Sequence, residues 1–374
     1  MKKWLPIVIA SSVVILVASC RNQPARPSFF FIQRADSLIA TMTNFSGVVL
    51  VAEGGTPVFY KAYGFKNFDT GEPMDTASIF ELASLSKPFT AMVLMMLARQ
   101  GLLRYDDSLK NYVPEIPYSG ITLRHLLTHT SGLPDYQAVM DANWDKSKIA
   151  TNSDNIRLLA QLRPPAVFAP GTQYRYSNTG YMLLATVAER VAQKDFGALS
   201  EELIFEPLKM THTAIRSIED KVMLPQMAWG HIYVADQQRY VRADSFPQFN
   251  YTLWLGKRYG PGRVSATAGD LLTWDRALYS DWAPKDLARE AFAPARLTNG
   301  EQVNYGFGWR IDKTAAGTIV SHSGDNPGYK TYMARFIDVD KTLIVLCNNA
   351  HRDFETLTNF LQEQIVHQSL EASP

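Results

Sequence analysis

The chain has 374 residues, 46% of them hydrophobic, with two cysteines and a formal net charge of +1. That length and composition suit a globular protein with a sizeable core, arranged as two domains or as one domain carrying a large insertion. Near-zero charge supplies no basic field for nucleic acid and no acidic tail for a cationic partner, so neither class of partner is expected.

Lys2 and Lys3 precede an apolar run, Leu5 to Val17, which has signal-peptide length and is short for a bilayer span. The run ends in VASC. Val17, Ala18 and Ser19 before Cys20 resemble the lipobox of bacterial lipoproteins. The resemblance implies that residues 1–19 are removed and that Cys20 becomes the lipidated first residue of an exported protein. Its acyl chains would hold it on a membrane facing the periplasm or the cell exterior. The alternative is an ordinary secretory signal with an incidental cysteine. A polar, proline-containing tether follows over residues 20–27. The other cysteine, Cys347, lies in TLIVLCN and reads as a small core residue, leaving no internal disulfide.

A helix is expected from about Phe30 to Met42. Ser46 to Glu53 and Val58 to Gly64 form a hairpin over Gly54 and Gly55. Phe89, Met92, Val93, Met96 and Leu97 recur at amphipathic-helix spacing, so a helix opens at Ser84, tolerates Pro88 near its start and stops at Gly101. Residues 105–295 change texture to helices and long loops punctuated by proline, glycine and tryptophan. Strand signals return in TIVSHS, YKTYMARFI and TLIVLCN, the last two joined by a turn at Asp338 to Lys341. A final helix runs from about Arg352 to His367. The fold class is therefore α/β of the α+β type: one antiparallel sheet built from residues 28–104 and 296–374. It is flanked by N- and C-terminal helices and carries a mostly helical insertion over 105–295.

The chemistry starts at SLSK. Ser84 and Lys87 are three residues apart and share a helix face, so the amine reaches the hydroxyl. A lysine at a helix N-terminus feels the positive end of the macrodipole, which with burial lowers its pKa and makes it a base. The serine, weak at its own pKa, becomes a nucleophile only with such a neighbour. A lone SxxK is equally a cap followed by a surface lysine, so further groups are required. In QYRYSNTGYMLL, Tyr176, Ser177 and Asn178 form a turn before an apolar helix. A tyrosine beside cationic Lys87 is expected to have a lowered pKa and to exchange protons with Ser84 and a leaving group. In SHSGDNPGY, His322, Ser323 and Gly324 end a strand. There the backbone N–H of Asp325 can face an oxyanion opposite the N–H of Ser84, while Gly324 lets substrate approach.

SxxK, YxN and an HSG triplet, in that order, resemble the class C β-lactamase-like family, which includes class C β-lactamases, low-molecular-weight penicillin-binding proteins, esterases and D-amino-acid peptidases. ITLRHLLTHTSGLP at 121–134, VSATAGDLLTW at 264–274 and YGFGW at 305–309 extend the resemblance over nearly all of the mature chain. It implies a β-lactamase/transpeptidase-like fold, with Ser84 as nucleophile, Lys87 and Tyr176 as the acid/base pair and Asn178 as a substrate amide contact. His322, Ser323 and Gly324 fall in the third motif; in such enzymes the identity of the base is disputed. The implied activity is hydrolysis of a small-molecule or peptide ester or amide through an acyl-enzyme, with no metal or cofactor. The alternatives are a penicillin-binding protein or sensor that acylates with little turnover, and an inactive scaffold.

His322 departs from the lysine that β-lactamases usually carry, which favours an esterase or peptidase over a true β-lactamase. An imidazole with an ordinary pKa of ~6.5 is mostly neutral at pH 7. Carboxylate-bearing substrates are thus expected to improve, relative to neutral esters, as pH falls through that range.

Other groupings have plainer explanations. Ser153, Asp154 and Asn155 spell SDN, a second motif of class A enzymes, but they introduce NIRLLAQL and read as a helix cap. His125 and His129 enclose Leu, Leu and Thr with no glutamate, so they read as packing and hydrogen-bonding residues and not as zinc ligands. Met92, Met95 and Met96 belong to the core or its edge. Pocket walls are expected from residues 135–145 and 247–262, with Tyr136, Trp254 and Tyr259 as candidates.

Overall fold

The segments VVLVA and LIVLC are apolar at every position, the pattern of strands covered on both faces. Both lie inside a six-stranded antiparallel sheet. The computed structural model describes Met1, residues 29–283 and residues 285–371. The leader, Cys20 and the tether lie outside the described residues. In chain order the sheet comprises β1 (Gly47–Glu53), β2 (Thr56–Tyr63), β3 (Arg310–Thr314), β4 (Gly317–Asn326), β5 (Tyr329–Phe336) and β6 (Lys341–Cys347). In space the order is β3-β4-β5-β6-β1-β2, so the two ends of the chain meet where β1 pairs with β6. Gly54 and Gly55, at φ 56° and 80°, make the β1–β2 turn, a left-handed pair that matches the twist of the flanking strands.

Alternation along β1 divides the core. Val49 and Val51 point to a layer formed by α1 (Phe29–Thr41) and a C-terminal helix, Phe354–Glu371, meeting Ala35, Ile39, Leu357, Leu361 and Cys347. Val48, Leu50 and Ala52 point the other way. They meet the larger core of α2 (Lys87–Arg99), α3 (Asn178–Ala192) and α4 (Ala268–Ala277), where Phe89, Met92, Met95, Leu183 and Trp274 are buried. The C-terminal helix is α5. Although α4 falls within residues 105–295, it packs directly on β1 and β6.

Some elements were not legible. Phe80–Glu81, Ala214–Ile215 and Val264–Ala266 form a small three-stranded sheet, and His231–Val234 pairs with Arg239–Arg242. Runs of two to four residues carry too little alternation to register. Strand β3, RIDKT, is an edge strand whose charges keep it from pairing further, and the same charges mask it as a loop. It pairs with β4 only from Gly317 to Ser321, so β4 has no strand partner on that side from His322 to Asn326. That open stretch lies beside the entry to α2.

Candidate active site

Ser84 sits in a single 3₁₀ turn, Ala83–Ser86, which leads into α2 at Lys87. Three contacts fix the turn. The Thr331 hydroxyl donates to Leu82 O at 2.8 Å, the Val264 N–H donates to Ser86 Oγ at 3.1 Å, and the Val264 carbonyl accepts from the Leu82 N–H at 2.9 Å. Ala83 is held at φ +51°, a left-handed conformation that costs about 1 kcal/mol or more in a non-glycine residue. Gly324 makes room for this turn. A Cβ there would stand 2.1 Å from Leu82 O and 2.3 Å from Thr331 Oγ1. The glycine therefore admits the nucleophile's own backbone, where the sequence reading assigned it to substrate approach.

Lys87 is fully buried. Its Nζ lies 3.1 Å from Ser84 Oγ, 2.9 Å from Asn178 Oδ1 and 3.1 Å from Pro261 O, and it forms no ion pair among the described residues. Burial, then the nearby Arg258 guanidinium, pushes its pKa well below the lysine range. A neutral amine has two N–H donors and one lone pair. Asn178 Oδ1 and Pro261 O accept the two N–H groups, which leaves the lone pair aimed at the Ser84 O–H.

Tyr176 corrects an expectation. Burial pushes its phenol above the ordinary tyrosine value, opposed by its hydrogen bond with Ser84. With Lys87 neutral, no ammonium beside it lowers that value, so Tyr176 stays protonated and Lys87, unprotonated, is the base available. The tyrosine ring packs on His129, with centroids 4.3 Å apart. His129 Nδ1 accepts the Ser177 N–H at 3.1 Å, while Ser177 Oγ caps α3 by accepting the Gly180 N–H at 3.3 Å. Burial keeps the His129 imidazole neutral. His129 thus aligns the YSN segment.

His322 corrects a second one. Its Nδ1 lies 2.6 Å from Ser323 O, an atom that can only accept, so Nδ1 carries the hydrogen and Nε2 accepts from the Tyr305 hydroxyl at 3.0 Å. Burial pushes its pKa down to about 3. The imidazole is neutral and its polar atoms are already engaged. The ratio of kcat/KM for a carboxylate-bearing ester to that for a neutral ester is therefore expected to stay flat through ~6.5, the free imidazole range. A step in that ratio which disappears in His322→Gln would restore an imidazolium.

The pleat separates the rest of the third motif. His322 and Gly324 face α2, whereas Ser323 pairs with Tyr332, whose hydroxyl donates to Gln362 of α5, and Asp325 pairs with Lys330. Ser323 and Asp325 can serve the Ser84 side only through their backbone. At SDN, Thr151 is the cap: its Oγ1 accepts the Asp154 N–H and Asp154 accepts the Thr151 N–H in return. His125 Nδ1 accepts the Thr122 N–H in a similar box. Among the described residues, no group of three His, Cys, Asp or Glu could hold a metal ion.

Of the wall candidates, Tyr136 and Trp254 are buried, and the Tyr259 N–H donates to Asn152 Oδ1 at 2.9 Å. The run Arg258 to Pro261, inside the expected 247–262 wall, stands beside Lys87, although the sequence singles out only Tyr259 within it. Gly260 O accepts from Thr90 Oγ1 at 2.7 Å, next to the Pro261 carbonyl already described. A Cβ on Gly260 would lie 2.2 Å from Tyr181 O. The signal was YGPG, one residue upstream of VSATAGDLLTW.

Residues 35–367 match the family model described as Beta-lactamase. The chain is 42% identical over 309 residues to penicillin-binding protein 4* of Bacillus subtilis strain 168, spanning 82% of this chain and 68% of that protein. It is 24% identical over 310 residues to a D-aminopeptidase of Gluconobacter oxydans strain 621H. That match spans 81% of this chain but 55% of the relative, about half its length. A penicillin-binding protein from Bacillus halodurans shares the fold, with a TM-score of 0.75 at 23% identity, covering 87% of this chain and 98% of that one.

Proposed function

The chain belongs to the beta-lactamase family, and from that premise we propose that it is a serine hydrolase cleaving an ester or amide through an acyl-enzyme at Ser84. The observation that carries the reading is the clamp on Lys87, whose two fixed acceptors leave its lone pair on the Ser84 hydroxyl.

Lys87 takes the Ser84 proton as Oγ bonds to the carbonyl carbon. The oxyanion that forms is received by the N–H groups of Ser84 and Asp325 at the open edge of β4. As the tetrahedral centre collapses, the bond to the leaving oxygen or nitrogen breaks. The leaving group takes a proton from the Tyr176 phenol, and the Lys87 ammonium makes up the deficit. Water then attacks the acyl-enzyme, gives a proton to the same pair, releases the acid and restores the Ser84 hydroxyl. Asn178, with its oxygen committed to Lys87, has its side-chain N–H₂ available for a substrate carbonyl. The likeness to a D-aminopeptidase supports amide or peptide substrates as well as esters.

Intact mass followed over time after a fluorophosphonate and after a penicillin tests this. One fluorophosphonate adduct on Ser84, with ester substrates turning over, is the expected result. A penicillin adduct that persists while esters also stall would mark a protein that acylates with little turnover, and no adduct an inactive scaffold.

We also propose that the protein is an exported lipoprotein anchored through Cys20, on the support of the VASC sequence and the apolar run before it. Cys20→Ser is expected to move the protein out of the detergent phase in phase partitioning, or to block its maturation. Unchanged partitioning would mean an incidental cysteine.

A further inference from the structure

Arg258 is a buried cation without a counter-charge. It is 9% exposed, its Nε is buried without an acceptor, and no carboxylate among the described residues lies within ion-pair distance of it. The buried acid whose carboxyl feels its charge, Glu81, is already taken: it pairs with Lys221, accepts from Asn326 Nδ2 at 2.7 Å, and has Arg263 at 3.9 Å. Burial alone would raise the Glu81 pKa, but Lys221 and Arg263 outweigh it and hold the carboxyl ionised at about 2. Three cations thus share one acid, and Arg258 is the one left over. An unmatched buried charge is costly, and a bound anion would relieve that cost.

Its position is the second observation. The guanidinium lies 5.5 Å from the Tyr136 ring centroid. The point that a Cβ of Gly262 would occupy is 3.8 and 3.9 Å from Arg258 Nη1 and Nη2 and 3.7 Å from Ala83 O, with nothing nearer. The guanidinium tip and the turn that carries Ser84 therefore border the same space. The Ala83 Cβ of that turn lies 3.1 Å from the point a Cβ of Gly324 would occupy, which puts this space beside the Gly324–Asp325 end of β4. His322, neutral and bonded to Tyr305, supplies no charge to a substrate.

We propose that Arg258 selects substrates bearing a carboxylate on the part of the ester or amide that lies toward the Asp325 end of β4. The proposal rests on the hydrolase reading above. A guanidinium meets a carboxylate with two parallel N–H donors, giving orientation as well as attraction.

The test compares p-nitrophenyl glutarate monoester with p-nitrophenyl valerate, which share a leaving group and an acylation step. The wild type is expected to favour the glutarate ester in kcat/KM, mainly through KM. Arg258→Met is expected to cut that preference about tenfold or more, as loss of a charge-assisted hydrogen bond implies, with Arg258→Lys retaining part of it. Any change in Lys87 basicity acts on both esters and cancels in the ratio. A wild type without the preference overturns the proposal. So does an Arg258→Met protein in which both rates fall and the ratio holds, or one whose preference survives until exposed Arg310 is also replaced. If Arg258→Met fails to fold, the wild type still decides: free glutarate must inhibit valerate hydrolysis competitively, and added salt must erode the glutarate preference, and failure of either overturns the proposal. Failure of the hydrolase reading looks different, since neither ester would be cleaved above the Ser84→Ala background.

Discussion

Ser84→Ala is expected to lower kcat/KM for a small activated ester by about 10⁴-fold or more and to abolish the fluorophosphonate adduct, while the thermal midpoint stays near that of the wild type. The loss is large because bond formation requires an oxygen at that position, and no neighbouring hydroxyl can replace it. Ser86 lies on the same turn but is buried, and its Oγ is committed to the Val264 N–H. Thr90 donates to Gly260 O. Stability changes little because Ser84 Oγ contacts only the catalytic pair and contributes nothing to the apolar core. Kinetics, intact mass and a melting curve on one preparation check all three statements. A folded Ser84→Ala protein cleaving the ester at the wild-type rate would place the nucleophile elsewhere.

How much of this could be read beforehand follows the range of the interactions. Ser84 and Lys87 were legible because residues three apart on one helical turn must meet, whatever the rest of the chain does. Tyr176 and Asn178, some ninety positions on, carry no local mark of catalysis and were legible only through the resemblance. The sheet built from both chain ends followed from where the apolar strands fall, and the apolar runs of β1 and β6 were its clearest members. Protonation states were a different matter. Tyr176 was expected to be acidified by a charged Lys87, and His322 to titrate near neutrality. Both inferences failed because burial, which no local pattern in the sequence displays, dominates both values. Glu81 and Lys221 pair across 140 positions, and nothing in the sequence marks Arg258 as the cation left over. Gly324 was rightly singled out, but for substrate, because Leu82 O, the atom that fills its space, arrives from more than two hundred residues away.

Lys87→Met is expected to reduce turnover by roughly 10²- to 10⁴-fold, and Tyr176→Phe by a hundredfold or more, the scale of positioned acid/base catalysis. Because both move the same proton, the double variant is expected to lose far less than the product of the single losses. A measurement of stability decides which of the two is the base. A lysine neutral in the fold and charged when unfolded means that the unfolded chain binds one more proton, so wild-type stability rises with pH. The slope is about 1.4 kcal/mol per unit between the folded pKa and ~10.5. The sign is fixed: on going from about pH 10 down toward 8, the wild type must lose stability relative to Lys87→Met, where the proton difference is gone. Equilibrium unfolding of both proteins across that interval reads the difference directly. A difference that stays constant would mean that Lys87 is charged in the fold, with all three of its neighbours acting as hydrogen-bond acceptors. The proton of Ser84 would then have to pass to Tyr176, whose phenol burial holds in its protonated form.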